Sequence, residues 1–423
     1  MNSGSYSSDF YRLRETVFES FKYRSSALLN LVDSLCSNVS ASTPTQLSLN
    51  LLYERSYSSI SDSVASFEFK EGKSLAKIAS PLLEAQKEGF HYLAVDVTPY
   101  ERPYSPKVED RGYIYKPAPV KGVKPISIGH NYSFVNYLPS KDSDDPPLSF
   151  VMDVKRVRSD QLGAVVGAEQ IVNLVQDPSL PFKNSLTMVS GDTAYGSAEA
   201  IKSMSSELEN NLVLLARVSC GRSAFKKIFH TERPVGHPKW YGEEVKLNDQ
   251  HRRIESDLAV TFSSKTKRGK PCDIKVEIWR DMIFRGGKNY DGQNHPFTLF
   301  RIQSFDIEGN LVFRNPMCLG VYGNRRDEVE KAVIKQFYLQ RFDIEHFFRF
   351  GKRNLLLNKF QTPDVKHEES WVTLVSLANT LLISAREASR EVTNPWEKYK
   401  KKESKDPLEF SSKRLSSVAA VSS

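Results

Sequence analysis

The run HYLAVDVTPY, residues 91–100, changes the texture of this chain. Apolar residues upstream recur at helical spacing, whereas here β-branched and aromatic residues crowd into a short run that reads as a strand closing on an acid, Asp96. Downstream, GVKPISIGHNYSFVNYL (122–138) and PLSFVMDVKRV (147–157) alternate like two more strands. Residues Ser159 to Val175 have helical spacing, and NSLTMVS (184–190) is a fourth strand, ending at Gly191-Asp192. AEAIKSMSSELE (198–209) is a helix and NLVLLARV (211–218) a fifth strand. Three strands, helix, strand, helix, strand is an α/β order, and helices placed between strands imply a partly parallel sheet.

On either side of this core, residues 1–90 read as a helical N-terminal domain. Small helices joined by polar turns suit a DNA end-binding module, although no helix-turn-helix signature stands out. Between residues 219 and 330 the helical period vanishes, and DLAVTFSS, DIKVEIWRDMIF and FTLFRIQSFDIEGNLVFR mark a mostly β insertion. Its basic loop, Lys265 to Lys270, reads as a solvated turn in preference to a DNA contact. A long helix is predicted from Lys331, followed by a second from Glu368 to Val392, together forming a 331–392 unit. WVTLVSLANTLLISA within that second helix is interrupted by polar residues and reads as buried helix, not membrane span. Residues 393–423 form a basic, low-complexity tail for which disorder is expected.

The chain has 423 residues, 39% hydrophobic and 26% charged, enough to fold as more than one unit. Its formal net charge of +8 favours a polyanionic partner, because cations that neutralise phosphates release condensed counterions. Cys36, Cys220, Cys272 and Cys318 are widely spaced and form no CxxC pair, which argues against a zinc site and for buried free thiols in a reducing compartment. The first residues, MNSGSYSSDF, lack a signal-peptide pattern, and no apolar run reaches membrane-spanning length. A bacterial cytoplasmic, nucleoid-associated location is the corresponding expectation.

The chemistry is clearest in the predicted long helix. Tyr338, Arg341, Glu345 and Lys352 sit at offsets that place them within a sector about 60° wide on an ideal helix. Phe337, Ile344, Phe347 and Phe348 fill the adjacent sector and can bury against a sheet. One acid among cations and a phenol, beside a bulky apolar face, suggests a phosphate-facing surface with a single metal ligand. The spacing Tyr-x2-Arg-x3-Glu-x6-Lys resembles the signature of bacterial insertion-sequence transposases with a DDE, ribonuclease-H-like catalytic core. Asp96 in VDVTPY and Asp192 in SGDTAYGS lie where such a core places its two aspartates, and the β insertion before the glutamate helix also resembles that group. The resemblance covers residues 90 to 355.

It implies that Asp96, Asp192 and Glu345 are the catalytic, metal-holding carboxylates. Two Mg²⁺ ions, with Mn²⁺ able to substitute, would serve cleavage and strand transfer by in-line displacement. It further implies that Tyr338, Arg341 and Lys352 meet DNA, and that a dimer or larger assembly acts on inverted-repeat ends and target duplex, with no membrane involved. Two alternatives stand beside this reading: a non-catalytic DNA-binding descendant, and a ribonuclease-H-like nuclease of another kind. Asp153 is expected at a surface edge, and Asp343 about 160° round the helix from Glu345. His91, His130 and His346 read as structural or DNA-proximal. Trp240 and Trp279 read as packing residues, not platforms for a flipped base.

Overall fold

The computed structural model describes residues 3–116, 125–141, 145–229, 239–249, 254–266, 269–287, 291–329 and 334–390. The expected tail, 393–423, and the middle of the basic loop, residues 267 and 268, lie outside them.

The α/β core follows the expected order. Its strands are β1 (His91–Glu101), β2 (Gly112–Tyr115), β3 (Ile126–Tyr137), β4 (Phe150–Val157), β5 (Thr187–Gly191) and β6 (Leu212–Arg217). β4, β3, β1, β5 and β6 lie side by side. The β4–β3 and β3–β1 pairs are antiparallel, and the β1–β5 and β5–β6 pairs are parallel. This is a ribonuclease-H-like sheet. β2 is a short hairpin partner of β3 whose four residues were too few to show a period in the sequence.

The fit of α5 (Gly163–Gln176) to the sheet explains the alternation in β1. Val95 and Val97 face α5, where Gly167 and Gly163 allow close approach of the helix. Even-numbered residues of β1 point to the opposite face. Asp153 does sit on an edge strand, but it is half-buried and accepts a 3.0 Å bond from Gln170 of α5. Burial raises its carboxyl above the usual range.

The insertion is mostly β, as expected, and it joins the same sheet. β7 (Ser223–Lys227), β8 (Tyr241–Lys246), β9 (Leu258–Lys265), β10 (Pro271–Ile283), β11 (Phe297–Phe305) and β12 (Met317–Tyr322) extend it beyond β6. β12 makes the junction by pairing antiparallel with β6, from Leu319 opposite Arg217 to Tyr322 opposite Leu214.

Helices cover the core. α1 (Ser3–Ser20) and α2 (Ser25–Cys36) are separate helices, with Arg24 in a left-handed conformation (φ 49°) at the start of the second. α3 (Ser58–Ala65) and α4 (Leu75–Ala79) follow, and the single helix read between β5 and β6 is two short ones, α6 (Ala198–Ser203) and α7 (Ser205–Leu208). The C-terminal helix α10 (Val365–Arg390) packs against α1, α2, α3 and β4, with Trp371, Leu374, Val375, Leu377 and Ala378 fully buried. WVTLVSLANTLLISA is therefore a core helix. No helix among the described residues is long and apolar enough to cross a membrane.

Candidate active site

The predicted catalytic helix is two helices. α8 (Ile334–Gln340) ends one turn before α9 (Asp343–Arg353) begins. Across Arg341 and Phe342 the bonds tighten to three-residue spacing: Phe342 N donates to Leu339 O at 3.2 Å, and Ile344 N to Arg341 O at 3.1 Å. Sequence spacing could not reveal this break, because Phe342 and Ile344 continue the apolar pattern through it.

This helix pair runs along the even-numbered face of β1. The Tyr92 hydroxyl donates to the Phe337 carbonyl, Arg341 Nη1 donates to Asp96 Oδ2 at 3.1 Å, and Lys352 Nζ donates to Thr98 Oγ1 at 2.6 Å. From Tyr92 to Thr98 a strand advances about 20 Å, and from Phe337 to Lys352 a helix advances about 22 Å. The two lengths match, so the helix pair can touch β1 at both ends of this stretch. Phe134 of β3 packs its ring against Phe347 and Phe348, clamping α9 to the sheet.

Asp96 lies mid-strand, not at a strand end as its sequence context suggested, because antiparallel pairing with β3 carries β1 on to Glu101. Its parallel pairing with β5 ends at Ala94 opposite Ser190. Two residues further along each chain come Asp96 and Asp192, so parallel register sets the aspartates level on adjacent strands. Asp192 caps a 3-10 turn, Thr193–Gly196, by accepting from Ala194 N at 2.9 Å. Asp96 accepts from its neighbour Val97 N at 2.8 Å.

Arg341 lies among the three acids. Besides Asp96, its Nη2 reaches Glu345 Oε1 at 3.5 Å, and Asp192 acts on it through space. Arg341 is 6% exposed, whereas Glu345 is 44% exposed and open to solvent. Burial raises the Asp96 carboxyl above its ordinary range; Arg341 opposes this, and the charges of Asp192 and Glu345 add to it. The guanidinium thus occupies the centre of a region of negative charge. Among the described residues, no three His, Cys, Asp or Glu side chains stand close enough together to hold a metal ion in this side-chain arrangement. The physical reason is Arg341, toward which both Asp96 and Glu345 are turned.

Like Arg341, the other two motif residues beside Glu345 are enclosed. Lys352 is largely enclosed, and desolvation lowers its ammonium from the ordinary value, with Glu101 opposing. Tyr338 is 1% exposed, packed edge-on to Phe342 and facing Arg341 at 5.7 Å. The resemblance implied a DNA contact for Tyr338; here the ring is enclosed and forms part of the floor beneath Arg341. Asp343 lies on the far side of α9 from Glu345, paired with Lys141 at 2.5 Å.

Residues with no signal in the sequence complete the site. The Tyr195 ring is buried between Gly191 and Gly167, next to the Asp192 turn. A Cβ at Gly167 would lie 2.7 Å from the Tyr195 hydroxyl and 2.8 Å from Val95 Cγ2. Gly167→Ala gains about 1 kcal/mol of helix propensity, but overpacking costs about 1–3 kcal/mol. Val95 is stiff and Tyr195 is fixed in its slot, so overpacking should win. The expected outcome is a lower unfolding midpoint, and an unchanged or higher one would refute the slot. Arg222, at the start of the insertion, donates to Gly196 O at 3.2 Å and lies over the Phe284 ring at 3.5 Å, tying the insertion to the Asp192 turn. Thr98 was legible as the next residue on the Asp96 face of β1, but only once the strand's partner helix is known.

Three of the remaining candidates make contacts within the fold. His91 contacts Tyr137 at 3.2 Å. His130 is buried at 2.6 Å from Glu368. Trp279 is fully buried and donates to Ile254 O at 3.2 Å, so it offers no platform for a base.

Residues 16–281 match the family described as DDE superfamily endonuclease. That span is well over half of the chain. The chain belongs to this family. The match takes in Asp96 and Asp192, while Glu345 and the rest of its helix lie beyond it. No curated protein matches the chain. Endonucleases of the DDE type generally use divalent metal ions. The donor chemistry here fits such ions: hard carboxylate oxygens, one of them in a buried carboxylate destabilised by its acidic neighbours.

Proposed function

We propose that this DDE endonuclease is a transposase that binds the inverted-repeat ends of an insertion sequence, cleaves them and transfers the freed strands to target DNA. The observation that carries the reading is the convergence of Asp96, Asp192 and Glu345 on Arg341, with Lys352 anchored further along the same strand. In this reading Asp96, Asp192 and Glu345 would hold two Mg²⁺ ions, which supply an activated oxygen nucleophile and a stabilised leaving oxygen when bound.

The chain's own residues do the rest. Asp96, on an inner strand of the core sheet, is one of the carboxylates that would hold the ions. Arg341 neutralises the acids in the DNA-free protein and turns to a phosphate when substrate arrives, for which its planar fork is suited. Lys352 offers a poorly hydrated cation to the backbone near the cut, and Tyr338 backs Arg341. Action as a dimer or larger complex on paired ends belongs to the same proposal.

The test uses a supercoiled plasmid carrying the coding region with its native flanking DNA. With Mg²⁺, nicked, linear and excised products should form, with ends at the element's borders. Chelation by EDTA should stop product formation, and Mn²⁺ should restore it. DNA binding without metal-dependent cleavage of any substrate would overturn the reading in favour of a non-catalytic DNA-binding protein. Cleavage without regard to the element's borders would favour a nuclease of another kind.

A further inference from the structure

Cys220 and Cys318 are 98 positions apart, yet their sulfur atoms lie 2.9 Å from each other. Cys220 follows the end of β6, where the chain leaves the core to enter the insertion. Cys318 lies on β12, the strand that brings the insertion back beside β6. The backbone holds both ends of the contact. Val218 N donates to Cys318 O at 2.9 Å, and Asn248 N donates to Cys220 O at 3.1 Å. A disulfide needs the two sulfurs about 2.05 Å apart, so the remaining approach is under an ångström.

The two thiols are unlike. Cys318 is fully buried and Cys220 is half-buried, so only Cys220 is open to a small solute. The contact with Cys318 lowers the Cys220 thiol to about 7; burial opposes this, and Arg217 and Arg301 favour the thiolate, while as a thiol Cys220 also reaches Pro316 O at 3.4 Å. The contact with Cys220 and burial push the Cys318 thiol up. Cys220, the exposed member of the pair and the one whose thiol is lowered, is placed to react as a thiolate, and Cys318 is placed to attack it in turn.

The geometry points to a redox-sensitive disulfide between Cys220 and Cys318, formed by reaction with a hydroperoxide. The Cys220 thiolate attacks the terminal peroxide oxygen, so an S–O bond forms and the O–O bond breaks. The alkoxide or hydroxide released takes up a proton, leaving a sulfenic acid on Cys220. The Cys318 sulfur then attacks that sulfur, forming the S–S bond and breaking the S–O bond. The Cys318 proton leaves with the departing hydroxide as water. In sum, two thiols and one hydroperoxide give one disulfide, one alcohol or water, and one further water. The bond would staple the first residues of the insertion to its last strand, closing the whole insertion into a covalent loop. In a reducing compartment both thiols stay free, and an oxidant sets the staple.

The full-length protein, fully reduced and then treated with hydrogen peroxide in slight excess, provides the test. The expected result is a mass lower by about 2 Da, one peptide pair linking Cys220 to Cys318 in the non-reduced peptide map, and a raised unfolding midpoint. Dithiothreitol should reverse all three. Cys220→Ser should abolish them, and Cys36→Ser and Cys272→Ser should not. Oxygen addition without a cross-link, a link through Cys36 or Cys272, or a link between two chains would overturn the inference. Should Cys220→Ser fail to fold, the peptide map of the unsubstituted protein decides alone.

Discussion

Asp96→Asn should lower metal-dependent DNA cleavage by about 10³-fold or more, equivalent to roughly 4 kcal/mol of lost transition-state stabilisation. Asparagine keeps the shape and still accepts a hydrogen bond from Arg341, so the fold around β1 should persist. What it removes is the buried negative charge that faces Arg341 and, in the proposed function, holds the metal. DNA binding should stay the same or tighten, because one repulsive charge toward phosphate is gone. Glu345→Gln should behave alike, since its carboxylate completes the same cluster from α9. Cleavage measured on the flanked plasmid, beside a mobility-shift assay, separates the two effects. Residual cleavage within tenfold of the unsubstituted protein would show that the catalytic centre lies elsewhere. Equal loss of cleavage and binding would point to a folding defect, which circular dichroism would reveal.

A second large effect is expected far from the cluster. Glu368 of α10 and Arg102, just past the end of β1, are both 0% exposed and 3.4 Å apart. His130 Nδ1 and the Tyr132 hydroxyl reach the other Glu368 oxygen at 2.6 and 2.8 Å. Arg102 also donates to the carbonyls of Phe360 and Thr362, and Tyr100 to Phe360. The network fastens α10 and the segment before it to β1 and β3 of the core sheet. Glu368→Ala would leave Arg102 buried with no counter-charge and His130 and Tyr132 without their acceptor. Breaking a buried pair in this way costs about 3–5 kcal/mol. Urea unfolding should show the midpoint falling with the slope unchanged. A loss under about 1 kcal/mol would mean that water or repacking satisfies Arg102, a cost typical of exposed pairs. Because α1, α2 and α3 rest on α10, the N-terminal helices should lose protection together with it.

The two sites differ in how legible they were. Asp192 stood out because it follows NSLTMVS, read as a strand, where the resemblance places a second aspartate, and Glu345 because a helical period placed it beside cations. Asp96 was readable as an acid in β1, but its place in the middle of the strand was not, since continuation past it depends on pairing with β3. The Arg102–His130–Glu368 network left no local mark at all. Its members are 28 and 238 positions apart, and each looks like an ordinary polar residue within its own segment.

Side-chain periodicity is a local property, and it was enough to determine the order of strands and helices in the core, the β character of the insertion and the buried nature of α10. The sequence by itself also singled out the three acids and the cations Arg341 and Lys352, the glutamate and cations by their spacing and the two aspartates by what the resemblance implies. Only the tertiary structure decided that the insertion continues the core sheet through β6 and β12, and that Arg341 stands among the carboxylates. It alone closed Tyr338 into the floor of the site, split the catalytic helix at Arg341 and Phe342, and brought Cys220 to Cys318. The reason is common to all of these. Strand partners and side-chain contacts across distant segments are chosen by competition for one shared core, and no window of sequence contains both competitors.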